Sequence, residues 1–166
     1  AVSCARELLG ECLGGIVVLY GDHPLVSEST IKRLFEGFEN SGAVLAIMTT
    51  KVDDWNDWRA GFFGFGRILR DEDGNISGIR ELKDCSETEK EIREINPGYY
   101  CFDSKWLWEN ISKLQNKNNQ KEYYLTDLIA LAVEQKEKIS SSEINPVECL
   151  GVNTREQLAI VERMLK

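Results

Sequence analysis

The chain predicts an α/β fold with a mixed, mostly parallel sheet, and three observations carry that expectation. Residues 16–20, Ile-Val-Val-Leu-Tyr, are a continuous apolar and aromatic run, the pattern of a strand buried on both faces. A segment of helical period follows, with Ser27 as cap, Ile31, Leu34, Phe35 and Phe38 on one face, and Gly42 as stop. Residues 43–50, Ala-Val-Leu-Ala-Ile-Met-Thr-Thr, are then a second buried run. Strand, helix, strand is the unit from which parallel α/β sheets are built.

Taken in order, residues 1–13 are mixed, with Ala1, Ala5, Leu8 and Leu9 on one side of a possible helix. The strand at 16–20 stops at Gly21, and Pro24 keeps it from continuing. Asp22 therefore stands at the carboxyl end of a strand, where open α/β sheets bind ligands and where a carboxylate can hold a divalent cation against phosphate. By itself the same Asp22 is equally a turn residue. Residues 53–63 carry two tryptophans and two phenylalanines in a loop-like setting. Gly64-Phe65-Gly66 opens a strand through Leu69, Asp71 to Asn75 make a turn, and residues 76–82 alternate back as the second arm of a hairpin. Asp71-x-Asp73 has the form of a metal motif, but beside Gly74 it reads as a solvated hairpin tip.

Ser86 and Glu89 box the start of a short helix reaching Arg93. Residues 95–102 read as a strand entered through Asn96-Pro97-Gly98, and Ser104 as the cap of a helix with Leu107, Trp108, Ile111 and Leu114 inward. Residues 115–120 are polar and loop-like. Tyr124, Leu125, Leu128, Ile129 and Ala132 mark an amphipathic helix, and residues 147–152 a strand. Thr154 and Gln157 box a last helix with Leu158, Val161 and Leu165 inward.

Composition narrows the function. The 166 residues suit a single domain, residues 1–166, and 42% hydrophobic content supports a packed core. A net charge of −8 argues against nucleic acid, whose phosphates are gripped by Lys and Arg, but not against a small phosphorylated ligand bound with a metal. No run of about 18 apolar residues predicts a membrane span, and no signal peptide opens the sequence. The five cysteines are scattered without a Cys-x-x-Cys, and His23 is the only histidine, so neither a zinc site nor a disulfide framework is expected and a reducing cytoplasm fits.

Six separated stretches then combine. Leu19-Tyr20-Gly21-Asp22-x-Pro24-Leu25, Gly64-Phe65-Gly66-Arg67-Ile68, Glu81-x-Lys83-Asp84, Glu94-Ile95-Asn96-x-Gly98, Glu122-Tyr123-Tyr124-Leu125-Thr126-Asp127 and Gly151-Val152-Asn153-x-Arg155 occur in that order. Together they resemble the uridyltransferase domain of the N-acetylglucosamine-1-phosphate uridyltransferase family, a sugar-nucleotidyltransferase group. The resemblance implies a Rossmann-like nucleotidyltransferase fold and transfer of UMP from UTP to N-acetylglucosamine 1-phosphate, releasing pyrophosphate, with Mg2+ as cofactor. It implies that Asp22 and Asn153 hold the metal and that Asp22 is the catalytic ligand. Tyr20, Gly21 and Asp22 would line the nucleotide sugar, Gly66, Glu81 and Asn96 would contact the sugar and its phosphate, and Tyr124 and Thr126 would lie along the sugar pocket.

The residue types suit that chemistry. A sugar phosphate oxygen attacks the α-phosphorus directly, so positioning and charge neutralisation carry the reaction and no enzyme nucleophile is needed. Mg2+ takes oxygen ligands and needs only one or two from protein carboxylates. Alone, Glu81 also reads as a solvated edge-strand charge, Asn96 as a turn residue before Pro97, and Tyr123 and Tyr124 as core aromatics. The sequence departs from the family in several places. The Gly-rich loop that grips the UTP phosphates is absent, so the chain reads as the C-terminal part of the domain. Hexapeptide repeats of an acetyltransferase domain are absent too. The 53–63 loop is longer than usual, Phe65 replaces the usual Tyr, and Pro97 the usual Thr. Another sugar-1-phosphate nucleotidyltransferase, or a non-catalytic sugar-nucleotide-binding module, is the alternative expectation.

Overall fold

The computed structural model describes residues 1–9 and 14–165. Residues 10–13 of the first expected helix lie outside them. Of that helix the structure shows a short 3-10 turn, Val2–Ala5, and α1 (Arg6–Leu9), on which Leu8 is 90% exposed.

The strands are β1 (Gly15–Val18), β2 (Leu45–Lys51), β3 (Arg67–Arg70), β4 (Ile76–Arg80), β5 (Glu94–Ile95), β6 (Tyr100–Asp103) and β7 (Ile139–Glu143). They form one seven-stranded sheet in the order β1-β6-β2-β5-β3-β4, with β7 on β2. Only the β2–β7 ladder is parallel; the other described ladders are antiparallel. The expected mostly parallel sheet is corrected accordingly, and the reason is one insertion. Strands β1, β2 and β7 run the same way, but β6 enters between β1 and β2, pairing Phe102 with Ile16 on one side and with Leu45 on the other. One parallel neighbourhood thus becomes two antiparallel ones. The strand expected at 16–20 is also corrected: β1 is shorter, its residues are half-buried, and β6 is its one partner among the described residues.

The class is still α/β, because helices cover both faces. Alternation along β2 sends Ala46 and Met48 into one core with Leu34 of α2 (Glu28–Ser41), Tyr99, Cys149 and Val161. Leu45 and Ile47 enter a second core, with Trp106, Leu107 and Trp108 of α4 (Ser104–Asn110), and Leu128, Ile129 and Ala132 of α5 (Asp127–Glu134). The short α3 (Glu87–Lys90) carries the expected Ser86–Glu89 capping box, and α6 (Arg155–Met164) the Thr154–Gln157 box. Helix α2 starts at a Ser27 cap and ends at Gly42, whose φ of 66° is left-handed. Among the described residues no helix is long and apolar enough to cross a membrane.

Several local expectations change. Residues 147–152 do not form a strand: Asn145 accepts from Val147 N–H, Pro146 donates nothing, and a 3-10 turn (Pro146–Cys149) results. The strand is instead β7, Ile-Ser-Ser-Ser-Glu, formed by pairing with β2. Asp103, not Ser104, caps α4 by accepting from Trp106 N–H. Leu158 and Leu165 are 45% and 71% exposed, so of the expected inward face of α6 only Val161 is buried. The second half of the 53–63 loop forms a 3-10 helix that runs one residue beyond it, Asp57–Gly64.

Candidate functional site

The chain from β1 leaves the sheet through Tyr20, Gly21, Asp22 and His23, and four other segments converge on it. Tyr20, Asp22, His23, Gly64, Phe65, Gly66, Glu81 and Asn96 line a cleft of about 260 Å3. Five of the residues named from sequence therefore share one cavity: Tyr20, Asp22, Gly66, Glu81 and Asn96. Gly21 lies between two of them, and a Cβ there would meet nothing within 4 Å.

Asn153 is brought in by backbone pairing. Val152 N–H donates to the Asp22 carbonyl at 2.9 Å, and the Asn153 side-chain amide donates to Asp22 Oδ2 at 3.1 Å. The Gln157 carboxamide oxygen accepts from the N–H groups of Asn153 and Thr154, so the start of α6 fixes this residue. Among the described residues no three or more His, Cys, Asp and Glu side chains form a metal-holding group. The Asp22–Asn153 pair nevertheless offers one carboxylate and one carboxamide side by side, which fits a Mg2+ ion that keeps most of its water and phosphate ligands.

Glu81 and Asn96 line the same cleft. Thr126, buried, donates its hydroxyl to Glu81 Oε1 at 3.0 Å. Burial raises the Glu81 pKa against that hydrogen bond, and the charges of Asp84 and Asp127 raise it further. Asn96 is placed by a backbone irregularity. Pairing with β2 advances three residues from Ile47 to Thr50 while the other strand retreats five, from Tyr100 to Ile95. The two extra residues form a bulge at Asn96-Pro97-Gly98, which separates β5 from β6 and turns the expected single strand into two. Asn96 Oδ1 accepts from Gly98 N–H, and its amide donates to Tyr100 Oη. Tyr124 is not among the residues lining this cleft, and its hydroxyl accepts from Gln120.

Three glycines let the cleft residues pack closely. Gly98 has φ 83°, and a Cβ there would sit 2.0 Å from Tyr20 Cε2, so the Tyr20 ring lies directly on it. A Cβ at Gly66 would meet Ile79 at 3.0 Å and Glu81 Oε1 at 3.5 Å. One at Gly151 would meet His23 Nε2 at 3.1 Å and Asp22 Oδ2 at 3.5 Å. The lining contains no Lys or Arg. Burial and the negative charges of Glu81 and Asp22 raise the Tyr20 pKa, while burial lowers that of His23 against the pull of Asp22.

Sequence reasoning did not place His23, Phe65 or Gly151 in the site. His23 is 7% exposed, sits edge-on to Tyr20 and Tyr99, and lies nearly parallel to Phe65. The signal for it was its position inside the Gly-Asp-x-Pro-Leu motif as the only histidine of the chain. The Phe65 wall is held from behind by Arg67, which is fully buried. Its guanidinium donates to the carbonyls of Phe63, Phe65 and Lys90 and lies over the rings of Trp55 and Phe63. The long aromatic loop is thereby fixed beside the cleft, and Arg59 secures its start through two bonds to Asp54.

Comparison with known proteins follows this geometry. No protein-family model matches the chain. The chain is 44% identical over all 166 residues to the bifunctional protein GlmU of Clostridium novyi, 40% to that of Clostridium acetobutylicum, and 41% over 167 aligned residues to that of Alkaliphilus metalliredigens. It spans about a third of those relatives, 35% of each. Its fold is similar to that of a Bacillus anthracis protein described as a glucose-1-phosphate thymidylyltransferase, with TM-score 0.66 and 19% identity, covering 98% of this chain and 58% of that one. A CMP:2-keto-3-deoxy-manno-octonic acid synthetase solved with CTP gives TM-score 0.64 and 15% identity, over 99% of this chain and 65% of that one. The fold is thus of the α/β nucleotidyltransferase type, and the chain is, from its first residue to its last, a relative of one region of the bifunctional GlmU proteins.

Proposed function

We propose that this chain carries the metal and sugar side of a uridylyl transfer from UTP to N-acetylglucosamine 1-phosphate, yielding UDP-N-acetylglucosamine and pyrophosphate as a step toward cell-wall precursors in the cytoplasm. The observation that supports it is the Asp22–Asn153 pair, with Asp22 lining a cleft that Glu81 and Asn96 also line and that has no Lys or Arg among its described lining residues. A lining without Lys or Arg cannot neutralise phosphate by itself, and the Asp22 carboxylate beside the Asn153 carboxamide offers the place for a cation that can. When bound, Mg2+ would neutralise charge on the transferring phosphoryl group.

The chain's own residues orient and enclose the sugar. Glu81, braced by Thr126, accepts from a sugar hydroxyl, and the second amide hydrogen of Asn96 remains for an acceptor after Tyr100 has taken the first. Tyr20, seated against Gly98 and half exposed, gives the pyranose an apolar surface. The sugar phosphate oxygen then forms its bond to the α-phosphorus as the bond to the leaving pyrophosphate breaks, with no covalent enzyme intermediate. The phosphate grip on the triphosphate, absent from these 166 residues, is needed for turnover, so residues 1–166 should bind the product but not catalyse its formation.

The experiment is calorimetric titration of the chain with UDP-N-acetylglucosamine, UDP-glucose and UTP in the presence and absence of Mg2+, beside a pyrophosphate-release assay. Mg2+-dependent binding that favours the N-acetyl sugar and is lost in Glu81→Ala supports the reading. Equal binding of both sugar nucleotides, binding indifferent to Mg2+, or rapid turnover by residues 1–166 would overturn it.

A further inference from the structure

We propose that Arg67 is a positioning residue of the cleft: from the far side of the backbone it turns the Phe65–Gly66 peptide so that Gly66 N–H faces the cavity, where with Glu81 it brackets one sugar hydroxyl. The inference rests on the sugar-binding reading above and adds to it a residue that touches no ligand.

Three observations carry it. The first is what Arg67 holds. The side chain is fully buried, and among the described residues it makes no ion pair. Its guanidinium donates instead to the carbonyl of Phe63 at 3.1 Å, to that of Lys90 at 3.4 Å, and to that of Phe65. A buried cation bonded to no carboxylate is a costly filler, and an apolar side chain would occupy the space at less cost. What an apolar side chain could not do is hold those carbonyls.

The second is direction. The described peptide bonds are all trans, and in a trans peptide the C=O and the following N–H point opposite ways. The Phe65 carbonyl, turned to Arg67, therefore aims Gly66 N–H away from it. Successive residues of an extended chain also face opposite sides of the sheet, so Gly66 faces the side that Arg67 leaves. Glu81 is on that side: a Cβ on Gly66 would lie 3.5 Å from Glu81 Oε1, and both residues line the cleft.

The third is an unfinished ladder. Strand β3 pairs with β5 through Arg67 and Ile95, and Asn96 N–H donates to the Gly66 carbonyl at 2.9 Å. A regular antiparallel ladder would return a bond from Gly66 N–H to the Asn96 carbonyl. No described residue accepts from Gly66 N–H, so the donor is left for a ligand. A hydroxyl can give its proton to the Glu81 carboxylate and accept from Gly66 N–H at once.

The test follows the Gly66 amide by 1H–15N NMR of the intact chain with Mg2+ present. In the free protein it should exchange with solvent at least tenfold faster than the Asn96 amide. UDP-N-acetylglucosamine should move it downfield and slow its exchange about tenfold, while UDP alone should not. Arg67→Lys should lose that response and bind the sugar nucleotide roughly five- to tenfold more weakly, the worth of one hydrogen bond. Trp55→Leu removes a ring stacked on the guanidinium but leaves the carbonyl fork, so it should lower stability and keep the response. A response lost equally in Trp55→Leu, or kept in a folded Arg67→Lys, would overturn the inference. Should Arg67→Lys not fold, the parent chain decides: a Gly66 amide as slow to exchange as that of Asn96, or unmoved by the ligand, overturns it. If the ligand moves the Asn96 side-chain amide and leaves Gly66 in place, only the role of Arg67 fails. If neither moves, the sugar-binding reading fails with it.

Discussion

Replacing Gly98 by alanine tests how the cleft wall is built. The residue has φ 83°, and its added methyl carbon would lie 2.0, 2.7 and 2.8 Å from three atoms of the Tyr20 ring. Two costs follow. A left-handed backbone costs a residue with a side chain about 1–2 kcal/mol, and in a domain of this size that lowers the melting temperature by roughly 2–8 °C. The ring must also leave its seat, because ring atoms so close to a carbon cannot stay. Tyr20 is already 51% exposed, so it swings into solvent rather than into the core. A ring face lost from a sugar contact removes about 1 kcal/mol or slightly more, roughly a five- to tenfold weaker complex. A double-mutant cycle with Tyr20→Ala separates the terms. In the Tyr20→Ala background Gly98→Ala should cost only the backbone strain and should not weaken UDP-N-acetylglucosamine further, giving a coupling energy of about 0.5–1.5 kcal/mol in binding. Additive effects on binding, or a Gly98→Ala protein that binds as the parent does, would refute the link between this glycine and the Tyr20 ring.

Other changes have equally definite outcomes. Asp22→Asn should weaken Mg2+ binding in calorimetry, and in a protein that turns over it should slow the reaction about a hundredfold, since a metal's charge stabilisation contributes several kcal/mol. Glu81→Gln should melt higher than the parent at pH 7. Burial raises the Glu81 pKa, so above the unfolded value of 4.5 the folded chain holds a proton the unfolded chain has released, and stability falls as pH rises through that window. The advantage of the glutamine variant should close as pH drops below 4.5, and an advantage that persists at low pH would contradict this origin. Arg67→Lys exchanges a fork reaching three carbonyls for a single ammonium, and should cost about 3 kcal/mol in denaturant unfolding with a change in tryptophan fluorescence as Trp55 loses its stacked cation. Cys101 and Cys149, whose thiols burial pushes up to about 12, should resist thiol reagents until the protein unfolds.

Much of the local structure was legible because its determinants are near in sequence. Ser27 and Gly42 bound α2, Thr154 with Gln157 starts α6, and Asp71, accepting from the N–H groups of Asp73 and Asn75, makes the expected solvated turn. Strand order was not legible. Nothing in residues 94–103 says that they will lie between β1 and β2, because that position is decided by pairings with residues far away. Strand β7 was missed because three serines in succession show neither apolar alternation nor a buried run, and only β2 makes them a strand. The site divides in the same way. Asp22, Glu81, Asn96 and Asn153 could be named from motif resemblance, whereas the seat of Tyr20 on Gly98 and the bond from His23 to Tyr99 join residues 78 and 76 positions apart (98 − 20 and 99 − 23) and have no local signature.

The placement of β6 between β1 and β2 sets a timetable for synthesis. Leu45 pairs with Phe102, 57 residues later (102 − 45), and Ile16 with the same residue, 86 later (102 − 16). At about 5–20 residues per second, β2 waits roughly 3–11 s on the ribosome before its antiparallel neighbour exists. Leu45 to Thr50, which the finished fold buries to 3% exposure or less, are available to other chains throughout that interval. Expression slowed ahead of residue 103 should therefore raise the insoluble fraction, while slowing after residue 143, once β6 and β7 can both flank β2, should not.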